Sequence, residues 1–184
     1  MIKNKVIFII SPEKWGVNLI SKHHYSLELA KNDNKVFFFN PPNKRLGHKI
    51  ITETVETNLV VVTYPRIIKG INRLPFIFRK YFNNYLAQFI IKNLGCRPDL
   101  LWSFDPYSFQ YLPSFQAEVN IYHPVDIHNT NLDYDLINFA DIIIASSSMI
   151  LDKFKNVNVP KFKINHGLAH YFITKNDNKI EFIR

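Results

Sequence analysis

Two stretches, Lys5-Val-Ile-Phe-Ile-Ile10 and Lys35-Val-Phe-Phe-Phe-Asn40, decide the fold of this chain. Each is a short, unbroken apolar run rich in β-branched or aromatic residues. That pattern marks a strand buried on both faces, as in a parallel sheet. Ser11-Pro12 ends the first run and Pro41-Pro42 stops the second. Between them there is room for one helix, with Asn18 or Ser21 placed to cap it. It runs to about Lys31, and Leu19, Tyr25 or Ser26, Leu29 and Ala30 recur at roughly helical spacing. The His23-His24 pair on it reads as surface. Asn32-Asp33-Asn34 turns the chain back. Strand, helix and strand in this order form a βαβ unit, whose crossover is expected to be right-handed.

Working outward, the same alternation continues. Ile50 to Thr54 and Leu59 to Tyr64 read as short strands around a polar turn, and Pro65 to Pro75 as a basic loop. Phe76 to Leu94 predicts a helix with Phe78, Phe82, Leu86, Phe89 and Ile90 on one face, stopped at Gly95. Further strands are expected at Asp99 to Phe104, Val119 to Tyr122, Asp141 to Ala145 and Lys161 to Asn165. Helices are expected at Pro106 to Leu112, Asp133 to Ala140 and Ser147 to Phe154. The pattern predicts an α/β fold: a doubly wound, mostly parallel sheet with helices on both faces, Rossmann-like. Residues 1–172 form one domain in this reading, and the polar stretch 173–184 a connector or tail.

Composition narrows the class. A chain of 184 residues is long enough for one real core, and 47% hydrophobic against 21% charged residues excludes a disordered chain. The single Cys96 excludes an intrachain disulfide and a cysteine-built zinc site. No apolar run approaches the roughly 20 residues of a membrane helix. The start, Met1-Ile-Lys-Asn-Lys, leads straight into a strand without the pattern of a signal peptide. A cytoplasmic protein is the expectation. The formal charge of +8 favours anionic partners such as nucleotide phosphates or acidic lipid headgroups.

In such a sheet, ligands bind beyond the carboxyl ends of the strands, near the point where strand order reverses. That rule selects Ser11 to Val17, Asn40 to Pro42, Asp105 to Tyr107, His123 to His128, Ser146 to Ser148 and Asn165 to His170. The first loop holds one glycine, Gly16, and neither G-x-G-x-x-G nor G-x-x-x-x-G-K-[ST] occurs. Ordinary dinucleotide-dependent oxidation and P-loop hydrolysis are therefore not expected. His123, Asp126 and His128 cluster after one strand, where a His and a carboxylate can orient a hydroxyl or support developing positive charge. No third ligand is suitably spaced for a metal, and none is expected. Ser147 is placed to cap a helix, with contact to a phosphate or sugar as its other reading. Residues 66–80 mix cations with large apolar side chains and suit a membrane interface. Phe78, Phe82, Leu86 and Phe89 are assigned to the core. No nucleic-acid-binding motif accompanies the patch, and no nucleic acid partner is expected.

Four stretches in order resemble the N-terminal domain of GT-B glycosyltransferases, specifically the retaining, family-4-like group that includes teichuronic acid and capsular polysaccharide enzymes. The first is Val6 to Gly16 with a helix ending Leu27-Glu-Leu-Ala30. The second is Asp99-Leu-Leu-Trp-Ser-Phe-Asp-Pro106, and the third is Ile121-Tyr-His-Pro-Val-Asp126. The fourth is Ala140-Asp-Ile-Ile-Ile-Ala-Ser-Ser147 followed by Lys163-Ile-Asn-His-Gly-Leu-Ala-His-Tyr-Phe172. The resemblance implies a domain that holds the acceptor, facing a second domain that holds a nucleotide-sugar donor. It makes His123 the contact to the transferred sugar, with Asp126 beside it, as the catalytic pair. It places Gly16 near the donor phosphates, and Asn165, His166 and Gly167 where the chain passes to the second domain. Together with the strand-end rule, it makes Trp15, Gly16, Asp105, His128, Ser147, His166 and Gly167 the substrate-binding candidates.

The chain also departs from the pattern. The paired glycines of the first loop are missing, His166 interrupts the usual Asn-Gly pair, and Ala169-His170 replaces an acidic residue. No counterpart of the E-x7-E donor motif precedes Arg184. The expected function is thus the acceptor-binding half of a glycosyltransferase, inactive alone, without a cofactor beyond its donor substrate. The expected acceptor is a glycan or lipid-linked molecule, with peripheral contact to the inner face of an anionic membrane. The other reading is a non-enzymatic Rossmann-like module for a partner protein or an anionic membrane surface.

Overall fold

The computed structural model describes residues 2–16, 18–128 and 130–164. Eight strands form one sheet: β1 (Val6–Ile10), β2 (Lys35–Phe39), β3 (Ile51–Glu56), β4 (Leu59–Thr63), β5 (Leu100–Ser103), β6 (Val119–Tyr122), β7 (Ile142–Ala145) and β8 (Lys161–Lys163). Four helices accompany them: α1 (Ser21–Lys31), α2 (Phe76–Leu94), α3 (Leu132–Ile137) and α4 (Ser148–Asp152). The order across the sheet is β3-β4-β2-β1-β5-β6-β7-β8. All neighbours are parallel except β3, which returns antiparallel on β4 at the edge. Its side chains are almost all exposed, and Glu53 and Glu56 keep that edge polar. The expected fold, a doubly wound Rossmann-like sheet, is the observed one.

Alternation along each strand sorts the core into two halves. Phe8 and Ile10 of β1, Phe37 and Phe39 of β2, and Leu101 of β5 face α2, α3 and α4. Ile7 and Ile9, Val36 and Phe38, and Leu100 face the opposite side, where α1 contributes Ala30. Because both faces are covered, the central strands must be apolar at every position. That is why they read as continuous runs and not as alternating ones.

Three local expectations differ from the structure, each for a polar reason. The short helix expected over Pro106 to Leu112 is a turn followed by a 3-10 helix at Leu112–Phe115. Here side chains take the backbone groups: Asp105 accepts from the Tyr107 N–H at 2.8 Å, and Asn83 accepts from the Tyr111 N–H at 3.0 Å. The buried face of α2 is Arg79, Asn83, Leu86, Ala87 and Ile90, whereas Phe78 is 55% exposed. Arg79 bonds the Leu74 carbonyl and pairs with Asp135 at 2.7 Å, which turns the basic residue inward and the phenyl ring out.

His23, expected at the surface, is buried on α1. Its Nδ1 accepts from the Ile20 N–H at 3.0 Å, and its Nε2 lies 3.2 Å from the Lys14 carbonyl. It therefore caps its own helix in place of Asn18 or Ser21, by the reach-back half of a capping box. These two bonds suit a neutral ring carrying its proton on Nε2. Burial, with Lys22 nearby, holds its pKa below the ordinary value of 6.5. A buried His with a lowered pKa contributes stability above its unfolded pKa and loses it as pH falls. Urea unfolding should therefore show a decline in stability below about pH 6.5 that His23→Leu removes. An identical pH dependence in the two proteins would exclude His23 as its source.

Candidate functional site

Strand order reverses beside β1: β2 and β4 lie on one side, and β5 to β8 on the other. At this switch the carboxyl ends are stitched together by Phe104 N–H to the Ile10 carbonyl at 2.9 Å and Ser11 N–H to the Phe39 carbonyl at 3.2 Å. A pocket of about 400 Å³ opens there. Its walls come from residues following four strands: Pro12 after β1, Pro41 and Pro42 after β2, Tyr64 to Ile68 after β4, and Asp105, Tyr107 and Ser108 after β5. Helix α2 closes it with Phe82, Asn83 and Leu86. The lining is chiefly proline, aliphatic and aromatic, with few polar groups, which is the composition of a small-molecule site.

Asp105, the carboxylate among these polar groups, is 3% exposed. Its carboxylate accepts from the Tyr107 N–H and from the Ser108 hydroxyl. Its own N–H donates to Ser103 Oγ at 3.3 Å. Burial pushes the Asp105 pKa up, while the two donors pull it back. A carboxylate has about four acceptor sites, so two remain for a ligand hydroxyl. The Tyr64 hydroxyl is buried beside Ser108 without a hydrogen bond of ordinary geometry, and burial raises its pKa. Arg66 stands exposed at the rim, a cation in reach of an anionic ligand group.

The sequence-derived candidates divide around this pocket. Asp105 lines it. His128 is brought close to it, its ring 5.7 Å from that of Tyr107. His123 does not line it. At 2% exposure it sits among rings on the α1 side, 4.7 Å from Phe104, 5.8 Å from Tyr25 and 5.9 Å from Trp102. Asp126 is exposed beyond it. The Trp15 ring packs against His23 and Phe38, and the Trp15 backbone N–H donates to Asn40 Oδ1 at 2.8 Å, pinning the first loop to the end of β2. Gly16 is exposed, with nothing near the place of a Cβ atom. Ser147 caps α4 by accepting from the Met149 N–H at 3.2 Å. His166 and Gly167 lie outside the described residues.

Sequence reasoning missed Tyr64, Arg66 and Asn83. The strand-end rule applied to Leu59–Thr63 points at the first two. Asn83 gives no such signal, because it reaches the site from the middle of a helix.

The sequence matches no protein-family model and no curated protein. Solved structures do match. Sucrose-phosphate synthase from Thermosynechococcus elongatus is 15% identical over 92% of this chain and 93% of that one, with a TM-score of 0.56. The chain has a GT-B-like fold. Alpha,alpha-trehalose 6-phosphate synthase from Burkholderia multivorans is 11% identical over 88% of this chain and 48% of that one, at 0.53. The UDP-forming alpha,alpha-trehalose-phosphate synthase from Burkholderia vietnamiensis gives 12%, 89%, 49% and 0.51. The chain thus spans about half the length of the two Burkholderia enzymes. At these identities the GT-B-like likeness is one of fold.

Proposed function

We propose that this chain is the acceptor-side half of a glycosyltransferase, working with a nucleotide-sugar donor held mainly by a second domain. The observation that carries this reading is the pocket at the strand-order switch. It is apolar-walled, with a buried carboxylate on one side and an exposed arginine at its rim. The GT-B-like fold supports it at the level of reaction class. In this reading the acceptor is a glycan or lipid-linked molecule whose hydroxyl donates to Asp105, while Arg66 meets an anionic group. His123 and Asp126 keep the roles toward the transferred sugar that the family resemblance implies, with no metal.

Calorimetric titration of the chain with saccharides and amphiphilic glycosides tests the pocket. Removing the charge with Asp105→Asn should weaken binding by about tenfold or more, since a hydrogen bond to a charged group is worth roughly 1.5–3 kcal/mol. Unchanged affinity in the variant, or no binding across the panel, would remove Asp105 and this pocket from the acceptor site.

A further inference from the structure

We infer that the outer face of α2 is a docking surface for an anionic lipid bilayer. Ile77, Phe78, Tyr81 and Tyr85 are 65%, 55%, 66% and 49% exposed. On a helix turning 100° per residue they fall within an arc of about 100°, opposite the buried Asn83, Leu86, Ala87 and Ile90. They form one stripe, about 12 Å long from Ile77 to Tyr85 at 1.5 Å per residue. Scattered exposed apolar residues need no explanation, but a contiguous aromatic stripe on a helix does. It stands on the outside of α2, facing away from the core, so it is suited to insert into a soft phase.

Charge identifies that phase. Between Glu56 and Asp99 the chain contains no acidic residue. Of the cations in that span, Arg79 is neutralised by Asp135. Lys69, Arg73 and Lys92 are exposed and, among the described residues, have no ion-pair partner. Lys69 and Arg73 precede the stripe, and Lys92 continues its line two turns beyond Tyr85. Rings inserting at headgroup depth, flanked by cations that meet lipid phosphates, are the two signals of peripheral bilayer binding. Among the described residues no helix is long and apolar enough to cross a membrane. The stripe also joins the pocket: the Tyr81 ring meets that of Phe82, a lining residue, at 5.4 Å. A bilayer on this face would lie beside the pocket mouth.

Vesicle co-flotation tests the inference. It does not depend on the transferase reading, which is measured by acceptor titration. The chain should partition onto phosphatidylcholine vesicles carrying about 30% phosphatidylglycerol, only weakly onto pure phosphatidylcholine, and less as salt rises. The triple variant Ile77→Ser, Phe78→Ser, Tyr81→Ser and the pair Lys69→Glu, Arg73→Glu should each reduce partition by about tenfold or more. All five positions are exposed or peripheral to the core, and the charge-reversed pair serves as the readout if the serine variant does not fold. Absence of binding, equal binding to neutral vesicles, or variants that bind like the parent would overturn the inference. So would a dimer, seen by sedimentation, that the serine variant abolishes without any vesicle binding, because the stripe would then belong to a second copy.

Discussion

Phe8→Ala should destabilise the protein by about 3–5 kcal/mol in urea unfolding, the usual range for truncating a buried phenylalanine. Phe8 is fully buried at the centre of the middle strand. Its ring lies 5.2 Å from Phe37 and 6.0 Å from Phe115, both edge-to-face, and 5.0 Å from Phe39 in a tilted contact. Phe39 and Phe115 are themselves fully buried. These neighbours are fixed by strand register and by the 3-10 helix, so they cannot collapse into the space left behind. The cavity persists, and its lost contacts add to the lost transfer energy. Folded domains are stable by only about 5–15 kcal/mol, so this one change removes a large share. A loss below about 1 kcal/mol would mean that the cluster relaxes around the gap.

Asp133→Ala should have an effect of similar size. Asp133 is 1% exposed and joins three elements. Its carboxylate accepts from the Tyr122 hydroxyl at the end of β6 and pairs with the Lys153 ammonium just after α4. Burial, reinforced by the adjacent carboxylate, raises the Tyr122 pKa, so the phenol stays neutral and remains a donor. Removing the carboxylate strands a buried hydroxyl and leaves a largely buried cation with the His128 carbonyl but no counter-charge. Breaking a buried pair in this way typically destabilises by about 3–5 kcal/mol. The double variant Asp133→Ala, Lys153→Met should recover part of the loss, because the uncompensated charge is then gone. If the two single effects simply add, the pair is not coupled, and the loss at Asp133 is one of packing.

The site was less legible than the fold, and particular residues show why. The rule that ligands bind at strand ends needs only the strands, so Asp105 and His128 were within its reach. It says nothing about which side of the sheet a strand-end residue turns to. His123 and Asp105 follow neighbouring strands by similar offsets, yet one sits among Tyr25, Trp102 and Phe104 on the α1 side and the other faces α2. The strands end in register, Ser103 beside Tyr122, but His123 is the first residue past β6 and Asp105 the second past β5, and that one-residue offset separates them because side-chain direction alternates with period two. The outward turn of Phe78 has a similar origin. Hydrophobicity alone favours burying the ring, but the ion pair of Arg79 with Asp135 lies about one residue round the helix and fixes the rotation.

What the sequence determined by itself is the sheet. Val6–Ile10 and Lys35–Phe39 are too apolar to be exposed on either face and too short to be helices, so a covered parallel sheet is the arrangement that hides them. What only the tertiary structure decided are the polar contacts over long sequence distance. Asn83 with Tyr111, Arg79 with Asp135 and Tyr122 with Asp133 set the rotation of α2, the turn after β5 and the seat of α3. Burial of apolar surface is non-directional and is written into local composition. A hydrogen bond depends on distance and angle between two specific groups, and those exist only once the chain has folded.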